Sequence, residues 1–211
     1  MNNVQEKLAA IRGLSEITSG KDIRQVDQGG YLEIDSETFK VDVIYKYLDV
    51  KWSNFKKRKK NYWVTELQLL NLLTGEKSFL EWEVDDELEV SLTLDQVQLR
   101  NIKYNGSVIT RHALEEIADE EHGTITLDGT KYHYSEDDTW AALFYRQGDD
   151  DPLEVRMYEF SSDNGTGLTI ELWEDEDNKP EREAFTSKEL NPKKITVLQT
   201  KGNELEKGVS A

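Results

Sequence analysis

Hydrophobic and polar residues alternate along much of the first half of the chain, a pattern typical of antiparallel strands with one buried face. The alternation runs from Leu32 to Tyr47 and is interrupted at residues 35–37, whose composition predicts a hairpin turn. It continues from Tyr62 to Thr93 around a second predicted turn at residues 74–76. We therefore predict a first β-rich unit at residues 21–105, folded as a small antiparallel sandwich or open barrel.

The second half of the chain repeats part of this pattern. Residues 123–132 align without a gap on residues 30–39, with matching apolar positions and a closing aromatic residue. Further equivalences pair Glu159 with Glu66, Ile170 with Phe79 and Trp173 with Trp82. We therefore predict a second β-rich unit at residues 123–199, a degenerate tandem repeat of the first. The alternative is a chance similarity between two amphipathic sheets.

Helical spacing of apolar residues occurs at two other places. Residues 110–119 carry apolar side chains at helical offsets after Thr110, a suitable N-cap, which predicts a helix within the connector 106–122. Residues 1–20 predict an N-terminal amphipathic helix, which either packs on its own domain or docks on another chain. Residues 200–211 carry little bulk and predict a flexible tail.

Charge is unevenly distributed along this chain of 211 residues. The formal net charge is −17; residues 1–105 hold 15 basic and 18 acidic side chains, whereas residues 106–211 hold 11 and 25. An acidic field repels phosphate backbones, so we expect no nucleic-acid partner. Cysteine is absent, and no apolar run approaches the roughly 18 residues that a membrane span needs. We expect a cytoplasmic protein, with the inner face of the membrane as an alternative, peripheral position.

Five consecutive cations stand out in an acidic protein, and aromatic residues lie on both sides of them. Such a cluster can bind an anionic headgroup, an acidic partner or the acidic half of the same molecule. The alternative is a solvated hairpin loop whose charges protect a sheet edge. The residues that we predict to bind a partner are Lys56, Lys57, Arg58, Lys59, Lys60, Trp52 and Tyr62.

A second candidate site is built on glutamates that fall on apolar strands. Glu66 follows Trp63, and Glu159 occupies the equivalent position of the second unit. If they face inward, these carboxylates lie in a low-dielectric site that suits the binding of an amine, with tryptophan faces beside it. If they face outward, they belong to the solvated side of the sheet. The predicted ligand site comprises Glu66, Glu159, Trp63, Trp82 and Trp173.

The remaining residues form no recognisable metal-binding, phosphate-binding or catalytic motif in the sequence. The acidic clusters lack the ligand order of a calcium loop, and solvated turns are their ordinary role. The histidines His112, His122 and His133 form no close pair, so we expect no metal. Gly165-Thr166-Gly167 lacks the residues that follow a phosphate loop, and no nucleophile motif occurs. We therefore expect no cofactor, no catalytic residue and no enzymatic activity.

Several residues of the first unit carry a resemblance to a known family. Phe39 and Val41 end a strand pair, Trp63 and Glu66 form a Trp-x-x-Glu strand, and Trp82 precedes an acidic turn. In these features the chain resembles the bacterial domain of unknown function family DUF4178. The resemblance implies no established activity. It does imply a gene context of phage-shock-like membrane coats, small membrane proteins and aminopropyltransferase-like enzymes.

The residues and the resemblance together predict a non-catalytic binding or adaptor protein that interacts with a protein partner in a membrane-associated or envelope-stress complex. The alternative is a binder of, or accessory enzyme for, cationic small molecules such as polyamines. A purely structural partner subunit is the third hypothesis.

Overall fold

The structure is a computed structural model that describes residues 21–134, 139–148, 151–174 and 181–202. Within these ranges the protein is mainly β, as predicted. The first segment forms the strands β1 (Tyr31–Ile34), β2 (Glu37–Val50), β3 (Trp63–Asn71), β4 (Lys77–Val84) and β5 (Leu88–Gln96). The middle of the chain forms β6 (Ile102–Tyr104), β7 (Ser107–Val108), the helix α1 (Arg111–Glu120), β8 (Gly123–Leu127) and β9 (Thr130–Tyr134). The last segment forms β10 (Thr139–Arg146), β11 (Leu153–Ser161), β12 (Thr166–Glu174), β13 (Glu181–Glu189) and β14 (Ile195–Gln199). Short 3-10 helices lie at Ile23–Gln25, Leu99–Asn101 and Pro192–Lys194.

Two four-stranded meanders form a closed barrel. In the first meander β2, β3, β4 and β5 pair in sequence order, and in the second β10, β11, β12 and β13 do the same. Antiparallel pairing of β2 with β10 and of β5 with β13 joins the two meanders at both edges. The result is an eight-stranded antiparallel barrel without a free edge.

The long strand β2 links the barrel to a small outer sheet. Its first residues pair with β1, which in turn pairs with β14. Its last residues pair with β10, and its register against β3 shifts between Val41 and Val43. Such a bulge bends a strand and increases its twist, so one strand can belong to both layers.

The two largest apolar clusters of the described residues lie on the outside of the barrel wall. Leu67, Leu69 and Leu80 project outward and pack against β1 and β14 in one buried cluster. On the opposite side, Tyr158 and Leu168 of the wall pack against α1 and strands β6, β8 and β9. The outer strands and the helix therefore bury the hydrophobic face of the barrel, and its other face is turned inward.

Several local predictions are confirmed. Asp35 and Ser36 adopt positive φ angles of 49° and 68° between β1 and β2, as a tight hairpin turn of this type requires. The predicted connecting helix corresponds to α1, and its N-cap Thr110 accepts a hydrogen bond from the backbone N–H of Ala113 over 3.1 Å.

The description as two tandem units is not confirmed, because strands of both predicted units share one closed barrel instead of forming separate sandwiches or open barrels. The predicted register between the halves also breaks. Phe79 and Trp173 line the barrel interior, whereas Ile170 and Trp82 pack in the outer clusters. The paired residues therefore face opposite sides of the wall, although each half contributes one meander.

Two predicted terminal segments lie largely outside the described residues. The predicted helix at residues 1–20 lies outside the described residues. Of the predicted tail at residues 200–211, only residues 200–202 are described. Among the described residues, the helices are too short or too polar to cross a membrane.

Candidate functional site

A cavity of about 550 Å³ occupies the interior of the barrel. Side chains from all eight strands line it, because every second residue of each strand points inward. The lining combines carboxylates with aromatic rings. Four of the lining carboxylates belong to Glu66, Glu81, Glu159 and Glu171.

The first meander contributes two of these glutamates from neighbouring strands. Glu66 on β3 pairs directly with Glu81 on β4, and on its other side Glu66 pairs with Tyr45 on β2. The two glutamates are therefore neighbours on one face of the sheet, where residues opposite each other have Cβ atoms about 5 Å apart. Two like charges this close repel each other in a low-dielectric interior.

The second meander contributes the other two, and indole N–H groups hold both in place. Trp140 Nε1 donates a hydrogen bond to Glu159 Oε1 over 2.7 Å. Trp173 Nε1 donates to Glu171 Oε2 over 2.9 Å. Both tryptophans also line the cavity, so a carboxylate and a ring are presented together at each position.

Burial raises the pKa of three of the four carboxylates, those of Glu66, Glu81 and Glu171. It raises the pKa of Glu66 to about 7, although a hydrogen bond with Tyr47 partly offsets the effect. Burial, with the nearby charges of Glu66 and Glu183, raises the pKa of Glu171 to about 8. Burial and repulsion, from Glu159 first among the charges, raise the pKa of Glu81 well above its ordinary value. At neutral pH the interior therefore holds both protons and negative charge.

Aromatic rings form a continuous wall beside the carboxylates. The ring of Phe144 lies 5.0 Å from that of Tyr47 and 5.0 Å from that of Trp173, measured between centroids. Tyr47 also meets Trp140 edge to face at 6.2 Å. Burial and the neighbouring carboxylate of Glu66 raise the pKa of Tyr47 well above its ordinary value, which keeps its hydroxyl protonated.

A second cavity of about 390 Å³ continues toward the other end of the barrel. The two cavities share Glu81, Glu159 and three hydroxyl-bearing residues as lining. Further glutamates surround the second cavity, among them Glu83, Glu89 and Glu189. The barrel interior is therefore acidic along its length.

Charge compensation inside the barrel is sparse. Arg146 is the one cationic side chain among the described residues that line the larger cavity, and it lies exposed at the end of β10. Among the described residues, no three His, Cys, Asp or Glu side chains are arranged to hold a metal ion.

Three of the five residues of the predicted ligand site line this cavity, namely Glu66, Glu159 and Trp173. Trp63 instead lies on the outer surface of the barrel with 39% of its area exposed. Trp82 packs against the outer core cluster and borders only the second cavity. Both tryptophans have the opposite parity to Glu66 and Glu81 on their strands, which explains why they face outward.

Sequence reasoning missed other residues of the site. They are Glu81, Glu171, Tyr47 and Phe144. Each has the same strand parity as other inward-facing residues, so the alternation along the strands is the sequence feature that could have identified them. Glutamate at such a position ordinarily faces water, so only the closure of the barrel identifies these side chains as interior.

The predicted basic run lies elsewhere, in the loop between β2 and β3 outside the barrel. Its five cations are exposed. Trp52 is half-buried, and its ring meets that of Tyr158 at 5.4 Å beneath the loop. The Tyr62 hydroxyl donates a hydrogen bond to Glu83 Oε2 over 2.8 Å. The five cations therefore lie apart from the barrel interior, whereas Tyr62 contacts Glu83 of the second cavity.

A family model described as "Domain of unknown function (DUF4178)" matches residues 27–192, which confirms the resemblance found in the sequence. The match spans both meanders and most of the outer strands. No curated protein and no solved structure shows significant similarity to the chain.

Proposed function

Because the chain belongs to the DUF4178 family, whose description names no activity, we propose a function from the geometry: the barrel binds a small organic cation. The observation that carries the proposal is the convergence of Glu66, Glu81, Glu159 and Glu171 beside aromatic rings within one closed barrel. The predicted alternative function, a binder of cationic small molecules such as polyamines, is the one that this geometry supports best. We propose that the barrel binds this cation and catalyses no reaction on it.

Electrostatics supports a cationic ligand. Several carboxylates share a low-dielectric interior, and in the protein alone their charge is reduced mainly by bound protons. A ligand with two or more ammonium groups would replace those protons with fixed positive charge and donate hydrogen bonds to the carboxylate oxygens. An anionic or neutral ligand would leave the repulsion among the glutamates unrelieved.

The aromatic wall supports an alkylammonium ion. Ring faces attract a cation, and they also pack against methylene groups. The ring centroid of Phe144 lies 5.0 Å from that of Tyr47 and 5.0 Å from that of Trp173 along the wall. The cavity of about 550 Å³ falls within the range of about 300 to 1,000 Å³ found for small-molecule sites.

Calorimetric titration with spermidine tests the proposal, with putrescine and an uncharged diol of similar length as comparisons. We expect heat from the amines alone. The double variant E66Q/E171Q should weaken binding at least about tenfold, since it removes two charge-assisted contacts. The matched control is E116Q, a change on the exposed face of α1. No binding of either amine at pH 8, with the barrel intact by circular dichroism, would overturn the proposal.

An adaptor role for the basic run is the second proposal. The observation that favours it is the ordered attachment of the loop to the end of β2, through the β-bridge between Val50 and Lys57 and the salt bridge between Asp49 and Arg58. Serine replacements of the lysines should remove protein partners from a pull-down while the melting temperature stays nearly unchanged. A pull-down that is insensitive to the replacements would argue against the role.

A further inference from the structure

One part of the outer barrel wall differs from the rest because it packs in neither of the two clusters that the outer strands and α1 cover. It lies across β10, β2 and β3, where the register defines parallel rows of outward side chains. Leu143, Leu48 and Trp63 form one row. Tyr145, Lys46 and Thr65 form the next. We call this area the outer face.

Two aromatic side chains, Trp63 and Tyr145, lie on the accessible part of the outer face, whereas Leu48 and Thr65 are buried beneath their neighbours. The rings of Trp63 and Tyr145 lie 5.7 Å apart, so they join the two rows diagonally. Trp63 is 39% exposed, and Leu143 and Tyr145 are half-buried. An exposed indole beside a phenol ring is a combination that prefers the boundary between water and an apolar phase.

The basic run continues the outer face at one end. Lys57 forms an isolated β-bridge with Val50, which pairs with Ala141. Val50 and Ala141 are fully buried in one cluster with Phe55, so the loop covers this third row and places its lysines at the edge of the outer face. The loop is anchored from below by Phe55, which is only 9% exposed and lies under the guanidinium of Arg156 at 4.6 Å.

A salt bridge of 2.7 Å from Arg58 to Asp49 ties the loop to the end of β2. The four lysines of the run, by contrast, are exposed and form no salt bridge with the described residues. They are Lys56, Lys57, Lys59 and Lys60.

We propose that the outer face docks onto a membrane surface that contains anionic lipids. Its lysines would contact the headgroups, and Trp63 with Tyr145 would enter the boundary of the acyl region. This binding is independent of the ligand proposed for the barrel interior.

Shape favours a lipid surface over a peptide. The outer wall of a barrel is convex, whereas peptides bind in grooves or add to a free strand edge. At this face β2 is paired on both sides, so it has no free edge to offer. A broad, deformable surface of negative charge is the partner that a convex basic and aromatic face can contact.

The charge of the whole molecule would set its orientation on the membrane. With a net charge of −17, most of the protein surface is repelled by anionic lipid. The basic run beside the outer face is the longest series of consecutive exposed cations among the described residues. Attachment should therefore depend strongly on ionic strength and on these few lysines.

Cosedimentation of the full chain with vesicles tests the proposal. The vesicles are pure phosphatidylcholine, or phosphatidylcholine with one-third phosphatidylglycerol, at low and high salt. We expect binding to the anionic vesicles at low salt and at least about tenfold weaker binding in high salt. The variant K56S/K57S/K59S/K60S should bind at least about tenfold more weakly than the native chain. Arg58 is retained so that Asp49 keeps its partner.

The matched control is K21S/K131S/K193S/K194S, which removes the same number of exposed charges elsewhere. It should bind as the native chain does. A second variant, W63A, should weaken binding without changing the net charge. Equal loss in both quadruple variants would overturn the proposal, as would binding to soluble polyglutamate with none to vesicles. Absence of vesicle binding would leave the result of the spermidine titration unchanged, so the two proposals are tested separately.

Discussion

Glu66 on β3 lies directly opposite Glu81 on β4, with both side chains on the lining of the barrel interior. Two adjacent carboxylates at this depth destabilise the folded protein when both are ionised. Proteins retain such arrangements at functional sites more often than elsewhere, because they supply pre-organised charge for a ligand. The predictions below concern what that charge does to stability and binding.

The helix α1 is expected to stabilise the barrel from outside. Leu114 is fully buried between the helix and the wall. Leu114→Ala should lower the free energy of unfolding by about 2 to 5 kcal/mol, because it removes buried methyl groups and leaves a cavity. Urea unfolding measures this change. His112→Ala, at an exposed position of the same helix, should change stability by less than about 0.5 kcal/mol. If both variants change the free energy of unfolding by the same small amount, the helix does not pack into the buried core.

The aromatic wall is expected to contribute to cation binding through its rings. Trp173→Phe and Trp173→Leu both remove the indole N–H that binds Glu171, but only the leucine variant removes the ring. Titration with spermidine should therefore give a weaker affinity for Trp173→Leu than for Trp173→Phe, by about 3- to 10-fold, which corresponds to roughly 0.5 to 1.5 kcal/mol. Equal affinities for the two variants would show that the ring face makes no contact with the ligand.

Local features of the fold were readable from the sequence, and long-range ones were not. The turn at Asp35 and Ser36 and the N-cap at Thr110 depend on neighbouring residues, whose types favour these structures. Closure of the barrel depends on pairing between β2 and β10 and between β5 and β13, strands far apart in sequence. No local pattern specifies such register.

The same limit explains the mixed outcome for the ligand site. Alternation separates the two faces of a strand but does not say which face is enclosed. Glu66 was recognised because an acidic residue on an apolar strand is unusual, whereas Glu81 occupies a position that reads as solvent-facing. The outer strands and the helix cover the apolar faces of these strands, so the polar faces with their glutamates are the ones enclosed by the barrel. Only the complete topology shows which face is enclosed.

The buried carboxylates should make the protein more stable in mild acid than in base. The pKa of Glu66 is raised from 4.5 to about 7 and that of Glu171 to about 8, so the folded protein binds these protons more tightly than the unfolded chain. Their contribution is complete below the ordinary carboxylate pKa and is lost as pH rises through about 7 to 8. Differential scanning fluorimetry without ligand should show a melting temperature that falls from pH 5 to pH 9.

The variant E66Q/E171Q isolates this effect, because glutamine keeps the shape and removes the titration. Its melting temperature should fall less over the same range than that of the native chain, and E116Q should follow the native chain. If the curves of all three proteins have the same slope, the carboxylates do not govern the pH dependence.

Binding of a cation should release protons from the barrel. The bound ammonium groups favour the ionised form of Glu66, Glu81 and Glu171, each of which has a raised pKa in the free protein. Glu159 shares the cavity and Glu83 borders its continuation, so their charges add to the competition between protons and ligand. The affinity for spermidine should therefore rise from pH 6 to pH 8.5. Titration at pH 7 in two buffers with different ionisation enthalpies should give different heats, with protons passing from protein to buffer. A pH-independent affinity and identical heats would mean that the ligand does not contact these carboxylates.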